Sequence, residues 1–356
     1  MNDDPKVVPR SRHISQSRAR QLDIVRESGV SLATVDRVLN RRSGVRPETA
    51  QRVLRVAAEL DYLSNTADYS AALVEPMRLV FVLPKNSNAF IRMVGDYVEI
   101  VQRNFAPFNI DCHVRYVEEY NPQVLADSLL KFGKRFEGIA FIALEHPIVR
   151  EAVKQLVEQG KHVLTIVNDL SNSMRCAFVG QDNHAAGRTA GLLMGRHIGD
   201  REGKIALVAG SVNYRAQYER EMGFQQVQRE MFPRLHVVGA LEGREDPVRT
   251  YELVRDLLRQ HPDLVGIYNV GGGWEGVGRA LKDAHLDGKI VFIGHDIISG
   301  TRSLLIDGTM AVAITQNPQA EVINAIRIFT NLRDKKPLLA GVEPIGIGIV
   351  VRENLP

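Results

Sequence analysis

Gly29-Val30-Ser31-Leu32-Ala33-Thr34-Val35-Asp36-Arg37-Val38-Leu39-Asn40 decides how the N-terminal end of this chain folds. Gly29 permits the positive φ of a tight turn. Ser31 can accept from the free N–H groups of a following helix, Leu32 to Asn40. Val35, Val38 and Leu39 then share one buried face of that helix, and Leu32, Ala33, Asp36, Arg37 and Asn40 face outward. Upstream, Arg20 to Ser28 reads as a helix stopped by Gly29. Downstream, Arg41-Arg42-Ser43-Gly44 is a loop. Pro47 suits the first turn of a third helix carrying Val53, Leu54, Ala57 and Leu60 at helical spacing. Residues 18–62 are therefore expected to form a helix-turn-helix head whose second helix lies in a major groove. Side chains near the start of that helix would touch base edges, and an arginine there can hold guanine in a bidentate fork.

Charge is distributed unevenly around this stretch. Residues 1–66 hold 12 Lys/Arg against 8 Asp/Glu, while the rest of the chain holds 33 against 34. Between Arg10 and Arg55 there are eleven arginines and four acids. A small arginine-rich head on a neutral body is the footprint of phosphate contact. On charge alone, a solvated basic face explains it equally.

Outside the head the pattern changes. Residues 1–17 are polar and aperiodic and read as a disordered tail. Residues 63–76, ending in Glu75-Pro76, read as a hinge or linker. Beyond them, short apolar runs alternate with amphipathic segments such as Glu245 to Gln260. The runs are Leu79 to Leu83, Ile110 to Val117, Gly138 to Ile142, His162 to Val167, Ile205 to Ala209, Leu264 to Tyr268 and Ile290 to Gly294. Apolar strands alternating with helices indicate parallel sheets covered on both faces. Seven or more strands over 77–356 exceed one core. The fold class expected is an α helix-turn-helix head plus two α/β lobes, each a doubly wound parallel sheet.

The composition, 44% hydrophobic and 24% charged over 356 residues, is that of a globular chain. Two cysteines, Cys112 and Cys176, fit a reducing compartment rather than a disulfide framework. The N-terminus has no apolar run after its basic residues, and no stretch is long enough to span a membrane. These features point to a cytoplasmic protein without membrane contact. No CxxC, HExxH or nucleophile elbow stands out, so no metal, no catalytic residue and no cofactor is expected.

In open parallel sheets, ligands bind beyond the carboxyl ends of the strands. The residues there are Asn88 and Phe90, then Asn168-Asp169, then Asn269 followed by Gly271-Gly272-Gly273-Trp274, then His295-Asp296, then Gln316-Asn317. Amides and carboxylates that fork onto vicinal hydroxyls, with aromatics that stack on C–H faces, suit a polyhydroxylated ligand. Trp274, the only tryptophan, starts a helix facing this mouth, or is simply packed in the core.

One motif points elsewhere. Gly271-x-Gly273-x-x-Gly276 follows a strand and opens a helix, and Asp296 ends the next strand, which spells a dinucleotide-binding fingerprint. An NAD-dependent enzyme is therefore one alternative, and a transport-type sugar-binding protein is another. The fingerprint sits deep within a lobe and leaves the head unexplained, and the glycines can equally let backbone approach a sugar.

The run from Gly29 to Asn40, with the third helix from Pro47 through Ala58-Glu59-Leu60-Asp61-Tyr62, resembles the head of LacI-type regulators, and the likeness extends from residue 19 through nearly the whole chain. It implies that Leu32, Ala33 and Arg37 read bases and that Ser31, Thr34 and Asn40 contact phosphates. Asp36 stands where the family more often has Ser, so its carboxylate would orient Arg37 or accept from a cytosine amino group. Arg46 stands where Ser usually caps the third helix. In the hinge, the minor-groove inserting position falls on Ala71, with Leu73 two residues later and Asp68 adding negative charge.

From Met77 onward the chain resembles the type I periplasmic-binding-protein-like sugar sensor. This implies one lobe of about 77–180 and 317–333, and a second of about 181–316 and 338–356. Asn88, Phe90, Asn168, Arg220, Asn269, Asp296 and Gln316 fall at ligand-contacting positions, Arg220 being placed by Arg220-Glu221-Met222-Gly223-Phe224. Asp182 reads as a helix cap. The resemblance further implies a repressor that binds double-stranded operator DNA as a homodimer, controlled by a small carbohydrate or polyol effector between the lobes.

Overall fold

A computed structural model describes residues 21–40, 44–60, 62, 76–85, 88–105, 110–211 and 213–356. The tail, Arg20, the Arg41–Ser43 loop, and the hinge positions Asp68, Ala71 and Leu73 lie outside the described residues. The chain divides into two compact units.

The first contains the head: α1 (Gln21–Ser28), α2 (Leu32–Leu39) and α3 (Pro47–Glu59). Gly29 adopts φ +68° and donates its N–H to Val25 O at 3.0 Å, closing α1. Ser31 caps α2, its side chain accepting from Thr34 N. Arg46 precedes Pro47 without a side-chain cap bond. Ile24, Val35, Val38, Val53, Val56 and Ala57 form the core, with Leu39 and Tyr62 packed against it.

The second unit is α/β and carries two sheets. In chain order its elements are β1 (Met77–Lys85), α4 (Ala89–Phe105), β2 (Ile110–Glu118), α5 (Pro122–Gly133), β3 (Gly138–Phe141), α6 (Pro147–Glu158), β4 (His162–Ile166) and β5 (Ala177–Val179). There follow α7 (Asn183–Ile198), β6 (Gly203–Ala209), α8 (Arg215–Met231), β7 (Leu235–Glu242), α9 (Pro247–Gln260), β8 (Leu264–Asn269) and α10 (Trp274–Asp283). The remainder are β9 (Val291–His295), α11 (Ser299–Ile306), β10 (Val312–Thr315), α12 (Pro318–Arg333) and β11 (Gly348–Val350).

The first sheet has the order β2-β1-β3-β4-β5, and the second, read from its other edge, β7-β6-β8-β9-β10-β11. The two share one winding scheme, in which the first strand lies between the second and the third. The β1–β3, β3–β4, β4–β5, β6–β7, β6–β8, β8–β9 and β9–β10 pairs are parallel. Only the edge pair β10–β11 is recorded as antiparallel. Central strands such as β3 are buried along their whole length, as parallel strands covered on both faces must be. After β10 the chain returns to the first sheet as α12, whose Phe329 packs over Gly138 of β3.

A repeated cap sets the helix starts. Asn121, His146, Asp246 and Asn317 each accept from a backbone N–H just inside α5, α6, α9 and α12, and proline follows each of them. Proline at the first helical position lacks the N–H that would go unpaired there, and each side-chain cap contributes about 1 kcal/mol. Asp182 caps α7 through Ala185 N at 2.8 Å. Among the described residues, no helix is long and apolar enough to cross a membrane.

Candidate functional site

On the head, α2 turns its apolar stripe inward and leaves Leu32, Ala33, Arg37 and Asn40 exposed. Ser31 Oγ and Thr34 Oγ1 lie 2.9 Å apart. Asn40 Nδ2 donates to Asp36 Oδ1 at 2.7 Å and to Asp36 O at 3.0 Å. The Asp36 carboxylate therefore has a partner on its own helix in Asn40, a contact that sequence reasoning did not foresee beside the expected role toward Arg37. Its charge is partly met one turn later, which moderates repulsion of a phosphate. A short capped helix with an exposed arginine near its end is a surface that can enter a groove.

In the α/β unit, one cleft collects the segments that follow the strand ends. Asn88, Phe90 and Ile91 follow β1, Ile142 follows β3, and Val167 and Asn168 follow β4. Tyr214, Ala216, Gln217 and Arg220 lie beyond β6, Glu245 beyond β7, Gly271 beyond β8, Asp296 beyond β9 and Gln316 beyond β10. The enclosed space is about 60 Å³. An adjoining space shares Asn88, Phe90, Glu245 and Asp296 and adds Trp274, Glu275 and Ile298. Val167, Glu245 and Asp296 hold φ of +62°, +57° and +65°. Non-glycine residues rarely adopt this region, and it concentrates at functional sites.

The two sheets are joined across this cleft. Asn88 Nδ2 donates to Glu245 Oε2 at 2.7 Å, and Tyr214 OH to Glu119 Oε1 at 3.1 Å. Asn168 Oδ1 accepts from Ala216 N at 2.6 Å while its Nδ2 donates to Ala143 O. Glu145 N donates to Asn213 O at 3.1 Å, and Arg215 Nη1 to Ser171 Oγ at 3.1 Å. This is a closed arrangement.

Arg220 reaches the floor of the cleft because α7 and α8 pack almost backbone to backbone. A Cβ on Gly187 would lie 1.9 Å from Arg220 O, and one on Gly223 2.1 Å from His184 O. Arg220 Nε donates to Asn183 Oδ1 and Nη1 to Val270 O, both at 2.9 Å. Beside it, burial pushes the Asp296 carboxyl up to about 6, although Arg220 and the Gln316 amide pull it down. His295, buried and bonded through Nε2 to Tyr268 OH at 2.8 Å, is held well below the usual histidine range by desolvation and then by Arg220.

Of the side chains expected at the ligand, Asn88, Phe90, Asn168, Arg220, Asp296 and Gln316 are brought together around the main space, and Trp274 lines the adjoining one. The Trp274 ring is packed on α11, where a Cβ on Gly300 would lie 1.7 Å from Cη2. Asn269 lines neither space. Its amide closes the glycine turn, donating to Gly272 O at 3.1 Å and accepting from Gly271 N at 3.2 Å. Asp169 faces away and is held by Arg175, Thr165 and Arg215. Sequence reasoning missed Glu245, Gln217 and Tyr214. Glu245 accepts from Asn88, from Gln217 Nε2 at 3.0 Å and from Gly272 N at 3.4 Å.

The glycine run serves packing. A Cβ on Gly276 would lie 2.4 Å from Pro247 O, so this glycine lets α10 touch the start of α9. Gly273, at φ +79°, begins α10. Of the N–H groups in this turn, Gly272 N donates to the Glu245 carboxylate at 3.4 Å and Gly271 N to Asn269 Oδ1. Among the described residues, no group of His, Cys, Asp and Glu is arranged to hold a metal ion.

Residues 79–337 match the family model described as periplasmic binding protein domain. Residues 22–65 match that of bacterial regulatory proteins, lacI family. The chain belongs to the periplasmic binding protein domain family and carries a lacI-family head at residues 22–65. Similar curated proteins include catabolite control protein A of Streptococcus mutans, 26% identical over 192 residues, which are 53% of this chain and 54% of that one. The same-named protein of Staphylococcus epidermidis is 24% identical over 248 residues, 68% and 71% of the two chains. The D-allose-binding periplasmic protein of Escherichia coli is 23% identical over 194 residues, 52% and 62%. The chain thus spans about half the length of the Streptococcus relative it matches.

In fold, the body is like GanP, a glucose-galactose binding protein from Geobacillus stearothermophilus. The TM-score is 0.72 at 23% identity, covering 80% of this chain and all of that one. It is also like a solute-binding protein from Burkholderia graminis in complex with D-arabinose, with TM-score 0.72, 22% identity and coverage of 79% and 96%.

Proposed function

We propose that this regulator is a cytoplasmic, sequence-specific repressor that binds operator DNA as a homodimer, with its operator affinity set by a small sugar-like effector in the cleft. The observation that carries the reading is the convergence of eight strand-end segments on one polar cleft, in a chain that also bears a lacI-type head. Arg37, Leu32 and Ala33 would meet base edges, while Ser31, Thr34 and Asn40 would meet phosphates. Symmetric half-sites call for two heads. The effector would favour the closed lobes, and it can shift operator affinity only by as much as its affinity differs between the open and closed states.

A gel-shift titration tests this. Purified protein is mixed at low salt with fragments from its own promoter region, with and without a carbohydrate panel. The expected result is a specific shift that one carbohydrate alters. Failure to shift any fragment under either condition refutes it.

A further inference from the structure

The cleft is short of donors. Buried side-chain atoms without a hydrogen-bond partner include Asp296 Oδ1, Gln316 Oε1 and both carboxyl oxygens of Glu321. All four are acceptors. Gln316 is 6% exposed and lines the cleft. Its amide hydrogen bonds to Asp296, which leaves its carbonyl oxygen for a guest. Glu321, in the first turn of α12, is fully buried and close enough to Asp296 and Arg220 to feel both charges.

Cationic groups are scarce by comparison. Arg220 is the one cation among the described lining residues, and it gives Nε to Asn183 Oδ1 and Nη1 to Val270 O. The Glu245 carboxylate lines the same space as the start of α10 and accepts from Gly272 N, which sets a negative charge where a phosphate would seek N–H groups. Phe90 and Tyr214 line the same space, and aromatic rings attract cations.

We propose that the effector carries a protonated amine, so that the cleft takes an amino or imino sugar in preference to its neutral parent and rejects phosphorylated forms. An ammonium offers three donors and no acceptor, which answers Asp296 Oδ1, Gln316 Oε1 and Glu245. A neutral hydroxyl brings an acceptor for every donor. A phosphate sets further negative charge against buried carboxylates, and that repulsion is strongest where water is excluded. The inference rests on the cleft being the effector site.

Calorimetric titration of the full-length protein tests it with matched triads. One is D-glucosamine, D-glucose and D-glucose 6-phosphate, and the galactose and mannose series follow. Within a series that binds, the amine is expected to bind at least about tenfold tighter than its parent, and N-acetylation to remove the advantage. Asp296→Asn should narrow the amine-to-parent ratio, and Gln316→Met gives the same readout if the asparagine variant fails to fold. A neutral parent that binds as tightly, or a phosphate that binds tightest, overturns the amine assignment and leaves the effector site standing. No binding in any series overturns both.

Discussion

Asn88, just beyond β1, and Glu245, just beyond β7, are joined by a 2.7 Å hydrogen bond that ties the first sheet to the second across the cleft. The same carboxylate accepts from Gln217 and faces Gly272 N. One side chain therefore holds three elements in the closed arrangement, and its removal should be felt at all three.

Glu245→Ala leaves the Asn88 and Gln217 amides without their acceptor. Hydrogen bonds to charged groups contribute about 1.5–3 kcal/mol, so a thermal melt of the variant should fall by several degrees. Glu245→Gln, which keeps an acceptor, should fall less. Equal melting of all three proteins would show that the contact holds nothing.

Arg37 is exposed on a helix whose inner face is complete without it. Arg37→Ala should leave the circular dichroism spectrum unchanged while weakening specific operator binding by about 1–3 kcal/mol, which is about fivefold to 150-fold. The loss should be greater on the operator than on unrelated DNA. A uniform loss on both would make Arg37 a phosphate contact.

Gly187 and Gly223 set the distance between α7 and α8, and through it the position of Arg220. In Gly187→Ala the new Cβ meets the Arg220 backbone, which cannot swing aside as a flexible side chain would. Overpacking of this kind costs about 1–3 kcal/mol or more. Melting should drop, and whatever carbohydrate stabilises the parent protein should stabilise this variant less. A variant that binds its effector normally would detach Arg220 from the site.

The strand rhythm was legible because parallel strands are apolar along their length, and the caps Ser31 and Asp182 because a helical pattern follows each of them. The cleft was legible where a polar residue follows an apolar run, as at Asn88, Asn168, Asp296 and Gln316. Glu245 escaped because β7 did. That strand pairs on one side only, is half exposed, and carries Gly239 at φ +104° beside a register shift in the middle of its short apolar stretch, Val237 to Leu241. Asn269 misled for the opposite reason. It stands at a strand end, yet the turn it closes consumes its amide. Glu321 looked ordinary, since an acid in a first helical turn is favoured by the helix dipole, and nothing local says that this one is buried.

Burial of Glu321 carries a pH signature. Desolvation, and then Asp296, raises its carboxyl well above the usual range, and Asp296 itself stands near 6. A raised folded-state value means that the protonated form is favoured by folding. The stability gained is complete below the ordinary carboxylate range and is lost as pH rises through the raised values. His295, held neutral in the fold, acts oppositely, losing stability as pH falls below the ordinary histidine value. The difference between Glu321→Gln and the parent cancels groups the two proteins share. That difference in melting temperature should favour the variant, should be small near pH 5 and should widen toward pH 8, because the parent's carboxyl gains by ionising on unfolding and the glutamine cannot. A difference that is flat across this range would mean that Glu321 is already paired or solvated.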